Sequence, residues 1–394
     1  STSTTGPATS GASATSRCTC TTRSGTTTCL PAFPDHWPVF AAKDKVGDWL
    51  EMYTKVMELN YWPRTEVHAA RYDAAAGEWE VDLTRDGERL SLRPKQLVLA
   101  TGMSGVPNLP RYPGMDRFRG ESHHSSRHPG GEAYRGKRAV VIGSNNSAHD
   151  ICADFHENGA DVTMVQRSST HIVKSETLME LALGGLYSEE ALVKGITTDK
   201  ADMLFASVPY RIMHEFHVPV YEAARKRDAA FYARLEKAGF RLDFGDDGSG
   251  LFMKYLRRGS GYYIDVGASD LIADGKIRLA HGTVAEITED AVVLEDGTRL
   301  PADVIVYATG YGSMNGWAAR LISQEVADRS ASAGASARTP PRIPGPGRAN
   351  CATCGSRPGR TRCGSTAATC TSRATTRSIS RCSSRRGWKA WRRR

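Results

Sequence analysis

Six consecutive residues, Gly143-Ser144-Asn145-Asn146-Ser147-Ala148, stand between a short apolar run at 139–142 and a helix-forming stretch at 147–158. A second apolar run, 161–165, follows and ends at Gln166-Arg167. Strand, turn, helix and parallel strand make a βαβ unit whose turn can cradle a dinucleotide pyrophosphate. That chemistry needs a tight turn at the first position, backbone close to the phosphates at the second, and a small residue at the last. Gly143 and Ala148 meet the first and third requirements. Asn145 replaces the usual second glycine, and asparagine tolerates positive φ better than most residues. The helix N-terminus adds free N–H groups and the positive end of a dipole. Read alone, the pattern fits a plain strand–turn–helix equally well.

The end of the second strand narrows the choice. An acid about 20 residues past the turn holds the ribose hydroxyl of NAD, whereas arginine suits the 2′-phosphate of NADP. Here Arg167 follows Gly143 by 24 positions, with Ser168, Ser169, Thr170 and Lys174 behind it. The expectation is NADP; the competing reading is a solvated basic loop.

Around this unit the periodicities predict an amphipathic helix over 44–60, strands at 67–72, 79–83 and 90–92 with an Asp86-Gly87 turn, and a buried strand at 96–100 closing on Ala100-Thr101-Gly102. Residues 175–240 are helical by pattern, a wall for a substrate. Residues 276–300 form a meander leading to a strand at 304–307 and a second Ala308-Thr309-Gly310, followed by Tyr311.

Composition sets the class. The chain has 394 residues, 40% hydrophobic and 24% charged, which suits one large or two medium domains and excludes collagen and coiled coil. No run of about 18 apolar residues spans a bilayer and no secretory signal is evident, so a cytoplasmic protein without a membrane span is expected. The net charge of +9 is carried by the ends. Residues 329–394 hold 15 Arg, one Lys and no acid, residues 1–31 hold two Arg, and subtraction leaves −9 for the middle. Eight of nine cysteines also lie in the ends, with only Cys152 between. The spacing of Cys351, Cys354, Cys363 and Cys370 fits no standard zinc knuckle, so no metal site is expected.

Both ends lack periodicity. They read as disordered tails or as segments translated out of frame. A one-base shift of Thr369-Cys370-Thr371-Ser372-Arg373 contains LHQS, and the same operation yields protein-like sequence at both ends. The ends, 1–31 and 329–394, are therefore taken as frameshifted, and function is read from about 32 to 328.

That middle resembles the flavin-containing monooxygenases, a group that includes N- and S-oxygenating and Baeyer–Villiger enzymes. The segment from Phe118 through Gly120 and His124 to His128 is similar to their FxGxxxHxxx(Y/F/W) fingerprint, with His128 a departure at the last position. The two Ala-Thr-Gly segments resemble the family's strand-end linkers. The resemblance implies an α/β fold of two dinucleotide-binding, Rossmann-like domains. An NADP domain at 137–300, with a helical insert at 175–262, is inserted in a truncated FAD domain at 32–136 and 301–328. It implies FAD and NADP as cofactors, and NADPH-driven transfer of one oxygen atom from O₂ to a small organic substrate at N, S or a carbonyl carbon. His124, as a catalytic residue, and Ser125 fall near the nicotinamide. Gly143, Ser144, Asn145, Asn146, Ser147, Ala148, Arg167 and Ser168 hold the phosphates. Ala100, Thr101, Gly102, Thr309 and Gly310 touch the flavin or the hinge. The family's glycine-rich FAD turn does not occur in residues 1–31, so impaired flavin binding is expected of the chain as written. The alternatives are a flavoprotein oxidoreductase that uses NAD(P)H without oxygenation, which calls for a redox Cys pair, and a nucleic-acid-binding protein using the Arg-rich tail with Trp388 and Trp391. The acidic middle argues against the latter, and no nucleic-acid partner is expected.

Overall fold

The computed structural model describes residues 19–20, 33–34, 37, 41–331 and 363–365. Its centre is a five-stranded, all-parallel sheet in the order Arg278–His281, Asp161–Gln166, Arg138–Ile142, Val304–Tyr307, Glu121–His124. The inner strands are near-continuous runs of Val, Ile and Ala. Both of their faces are buried, as a covered parallel sheet requires. Register aligns Ile142 and His124 on either side of Tyr307, and Gln166 beside His281. The strands therefore end together, and that carboxyl edge is where open α/β sheets place ligands.

Two layers cover the sheet. On one face the helix Asn146–Glu157 packs Ile151, Cys152 and Phe155 onto Val141, Val162 and Met164, joined by Leu235 and Ile272. On the other, the antiparallel meander Val284–Ile287, Ala291–Leu294 and Arg299–Pro301 sets Ile287, Val292 and Leu294 against Val140, Ile142, Ile305 and Tyr307. The amino ends of two central strands are joined where Asp303 accepts from the backbone N–H and the guanidinium of Arg138. This pairing pulls the Asp303 carboxyl down to about 2. Cys152 is fully buried, and burial pushes its thiol up, away from the thiolate that redox chemistry needs.

A second unit contains the helix Lys43–Val56 and an antiparallel sheet of Thr65–Asp73, Glu78–Arg85 and Glu88–Leu92. Asp86 and Gly87 both take positive φ in the two-residue turn between the last two strands, the backbone that a tight hairpin demands. Trp79, fully buried with Ala70 and Val81, packs this sheet toward Ile322. The two units are joined where Ser104–Pro107 pairs antiparallel with Tyr311–Ser313. A Cβ on Gly105 would lie 2.0 Å from the Ser313 carbonyl oxygen, so this crossing of the two linkers requires glycine.

Three boundaries differ from the sequence reading. The parallel sheet takes in Glu121–His124 and Val304–Tyr307, and so runs past the expected 137–300 on both sides, because neither strand can bury both faces except beside its neighbours. The helical insert is closed by a parallel ribbon of His171–Lys174 and Tyr262–Asp265, which places Tyr262 in a strand. At the ends expected to be disordered, Thr19–Cys20 pairs with Ala41–Ala42, Cys363–Ser365 pairs with Leu97–Leu99, and the helix Gln324–Ala331 runs past 328. The other residues of both ends, including Cys351, Cys354, Cys370, Trp388 and Trp391, lie outside the described residues. Among the described residues no helix is long and apolar enough to cross a membrane.

Two predictions follow from the packing. Gly143 has φ +134°, and a Cβ there would meet the Ala308 carbonyl oxygen at 2.3 Å. Gly143→Ala therefore costs at least about 2 kcal/mol, seen as a lower urea midpoint at unchanged slope. His149 and His171 are wholly buried, and burial pulls both imidazoles down to about 4. In the unfolded chain they take up protons near pH 6.5. The stability they confer is thus complete above that pH and is lost as pH falls toward 4. Unfolding free energy should decline over this window, and less steeply in His149→Phe; an unchanged slope in the variant contradicts the assignment.

Candidate functional site

The βαβ turn lies at the carboxyl edge, between the ends of Arg138–Ile142 and Asp161–Gln166. The Gly143 N–H donates to the Val165 carbonyl at 3.0 Å, which closes the turn onto the neighbouring strand. Ser144, buried, shares a 2.9 Å hydrogen bond with the Thr170 hydroxyl, which also reaches Asn145 Oδ1 at 3.4 Å. Asn145 has φ −101° and ψ −167°. The positive φ expected of it is not used: the turn's left-handed residue is Gly143, and asparagine serves here through its side chain. Asn146 Oδ1 accepts from the Ile264 N–H at 3.2 Å, tying the helix start to the ribbon strand Tyr262–Asp265. Ala148, without exposed surface, lets the helix settle on the sheet, and Ser147 faces solvent.

No side chain caps the first turn of the helix Asn146–Glu157. Its N–H groups and dipole are thus directed to the carboxyl edge with no internal acceptor from a cap, the arrangement that receives a phosphate. His149, one turn in, donates from Nδ1 to the Asn145 carbonyl at 3.1 Å and stacks on Tyr263 at 4.0 Å, which fixes the helix axis.

Arg167 follows the next strand, exposed, and has no carboxylate partner among the described residues. Its charge is felt by Tyr112, whose hydroxyl is otherwise pushed up by burial and whose ring stacks on Tyr307 at 6.4 Å. Ser168 beside it is exposed.

His124 ends the edge strand at 6% exposure. Its Nδ1 accepts from the Ser126 N–H at 3.1 Å, so Nε2 carries the proton and donates to the Gly310 carbonyl at 2.9 Å. Burial holds this imidazole below the usual range, hence neutral. Both nitrogens are engaged, and the ring ties the edge strand to the second Ala-Thr-Gly. The buried Ser125 hydroxyl has no partner among the described residues. Thr309 donates from Oγ1 to the Asn108 carbonyl at 2.5 Å, and the Asn108 N–H donates to the Gly310 carbonyl at 2.9 Å. The structure thus gathers residues 143–148, Arg167, Ser168, His124, Ser125, Thr309 and Gly310 at one edge. Ala100, Thr101 and Gly102 lie exposed on the other linker.

The side chains of Gln166 and Asn108 carry no motif signal, whereas Thr170 stands in the polar stretch behind Arg167. Gln166 and Thr170 hold the loop around Arg167, and Asn108 holds Thr309. His128, the departure from the fingerprint, lies edge-on to Phe155 at 4.9 Å, with Nε2 3.3 Å from Asp154 and Nδ1 3.1 Å from His123. The only hint of that chain in the sequence is the density of histidines at 123, 124 and 128.

These residues fit one dinucleotide of the NADP kind: a left-handed glycine, an uncapped helix start and an unpaired arginine at the following strand end. Among the described residues there is no second glycine-rich strand–turn–helix for a second dinucleotide.

A family model described as "Flavin-binding monooxygenase-like" matches residues 7–180. The chain is 30% identical over 284 residues to the indole-3-pyruvate monooxygenase YUCCA1 of Oryza sativa subsp. japonica, an alignment covering 72% of this chain and 63% of the relative. It is 29% identical over 280 residues to the probable indole-3-pyruvate monooxygenase YUCCA10 of Arabidopsis thaliana, covering 70% and 64%. The chain therefore spans less than two thirds of the length of these relatives. Among solved structures, OTEMO in complex with FAD and NADP superposes with a TM-score of 0.57 at 19% identity, over 80% of this chain and 67% of that one. Cyclohexanone monooxygenase bound to ε-caprolactone gives 0.53 at 21% identity, over 73% and 62%, and both likenesses concern the fold. With the fingerprint around His124, the second Ala-Thr-Gly and the βαβ turn in place at one sheet edge, this chain is similar in sequence and fold to the flavin-containing monooxygenase family.

Proposed function

We propose that this chain binds NADPH at the carboxyl edge of its parallel sheet, as the nicotinamide-binding part of a flavin-dependent monooxygenase that transfers an oxygen atom from O₂ to a small organic substrate. The observation that carries the reading is the uncapped start of the helix Asn146–Glu157 beside an arginine that lacks a carboxylate partner among the described residues.

The chain's own residues divide the task. Gly143 keeps a side chain out of the turn, and the N–H groups of the first helical turn receive the pyrophosphate. Arg167 takes the 2′-phosphate in a bidentate, charge-assisted pair, with the Ser168 hydroxyl beside it. His124 is a positioning residue: its Nε2–H holds the Gly310 carbonyl and with it the linker at which the two units meet. The NADPH unit is the sheet with its covering layers, and the partial flavin unit comprises residues 41–107 and 311–331. FAD, when bound, supplies the two-electron chemistry that links nicotinamide to O₂. The described residues contain no cradle for its pyrophosphate, and no step is derived through it.

The test is direct. Calorimetric titration should show NADPH binding more tightly than NADH, and Arg167→Ala should weaken NADPH by about tenfold or more, equivalent to about 1.4 kcal/mol, while leaving NADH nearly unchanged. Equal affinities in the unmodified chain would overturn the NADP assignment. With added FAD, NADPH oxidation should be accompanied by O₂ uptake; reduction of the flavin without O₂ uptake would favour the oxidoreductase reading instead.

A further inference from the structure

The loop that carries Arg167 is held at its neck by one residue from a distant part of the chain. Gln166, buried without exposed surface, donates from Nε2 to the Arg241 carbonyl at 2.9 Å and accepts at Oε1 from the Arg241 N–H at 2.9 Å. The Thr170 N–H donates to that same carbonyl at 3.0 Å, and the Asp243 N–H returns to the Thr170 carbonyl at 3.3 Å. Residues 166 and 170 are thus both pinned to the backbone of residue 241, and the three residues between them, Arg167-Ser168-Ser169, arch out beside it.

Arg241 brings an exposed side chain to this neck, with no carboxylate partner among the described residues. Arg167 and Arg241 are thus both exposed beside the same strand end, one on the arch of the loop and one at its neck. Tyr112, which feels Arg167, packs with the meander layer, whereas Phe240 and Leu242, flanking Arg241, pack with the helical layer. The nearby acid is already neutralised: the Asp243 carboxylate lies 2.6 Å from Lys254 Nζ and accepts from the Gly245 N–H. Burial holds the His281 imidazole at the adjoining strand end below the usual range, and the Arg241 charge adds to this.

Resting on the NADP reading above, we infer that Arg241 is a second specificity-determining residue for the nucleotide, closing on the 2′-phosphate from the neck of the loop whose arch carries Arg167. A phosphate dianion between two guanidiniums gains from each, and arginine's planar fork suits both approaches. The buried amide of Gln166 is the device that makes the second arginine available. It anchors the backbone of residue 241 in two hydrogen bonds, so no backbone ordering is needed to present the side chain at the strand end.

The probes are 2′,5′-ADP, which carries the phosphate in question, and 5′-AMP, which lacks it, titrated calorimetrically into the full chain and into Arg241→Ala. The unmodified protein should prefer 2′,5′-ADP. The variant should bind it about tenfold more weakly while holding 5′-AMP as before, and Arg241→Lys should recover part of the loss. Because the Arg241 side chain is exposed and the pairing to Gln166 uses only its backbone, the urea midpoint of Arg241→Ala should match that of the unmodified chain. Unchanged 2′,5′-ADP binding in Arg241→Ala overturns this inference and leaves the NADP reading standing. Equal loss of both nucleotides overturns it as well, since that pattern marks a structural role. If the unmodified chain does not distinguish the two nucleotides, the NADP reading falls and this inference with it.

Discussion

The structure turns on a close approach between two backbones. Where Arg138–Ile142 and Val304–Tyr307 run side by side, the chain after the first must fold back tightly into a helix while the chain after the second leaves for the linker. Both departures occupy the same few ångströms. Gly143 resolves the conflict by taking a left-handed backbone and by offering no side chain to the Ala308 carbonyl. With that contact in place the five strands end level, the helix start faces the edge, and the second Ala-Thr-Gly passes directly over the turn. A bulkier residue would push the βαβ turn away from the linker at Ala308, and the two would lose their fixed position relative to each other.

The rest of the edge is built from polar side chains that act on backbone. The hydroxyls of Ser144 and Thr170 bind the turn to the loop after the next strand, Gln166 binds that loop to residue 241, and Thr309 binds the second linker to Asn108. Loops are the usual place for variation and motion. Here each loop at the edge is held at one or both ends by a buried or partly buried side chain. A ligand would therefore meet preformed donors, and less of its binding energy would go into ordering the protein.

The elements that a sequence declares by period or punctuation were legible. The apolar runs at 139–142, 161–165 and 304–307 are central strands because only a covered parallel sheet buries both faces of such runs. The meander and the Asp86-Gly87 hairpin were marked by their turns. The pairing of distant strands was less legible. Nothing in the residues 121–124, Glu-Ser-His-His, declares an edge strand of the central sheet; its place comes from register with Val304–Tyr307. For that reason the sheet extends beyond the positions 136 and 301 at which the sequence suggests a division. The site divides likewise. Gly143, Ala148 and Arg167 announce themselves by spacing, whereas Gln166, Asn108 and Arg241 act through backbone contacts across 75 or more positions and leave no local pattern.

His128 shows how a motif can be broken in its letters and kept in its physics. The fingerprint asks for an aromatic residue there, and the imidazole provides a flat ring that stacks against Tyr134 and meets Phe155 edge-on. Tyr, Phe or Trp would fill that sandwich with less polar surface to satisfy. A buried imidazole needs partners, and the fold gives it two: the Asp154 carboxylate from the dinucleotide helix and the His123 ring from the edge strand. His123 in turn lies 3.4 Å from Glu121, which also accepts from the Tyr134 hydroxyl. The substitution therefore sets a hydrogen-bonded chain from His123 through His128 to Asp154 in the helix Asn146–Glu157. Removing one link would leave a buried polar group unpaired, which costs more than the bond itself contributes. The imidazole thus makes this aromatic slot a polar staple between the edge strand and the helix Asn146–Glu157.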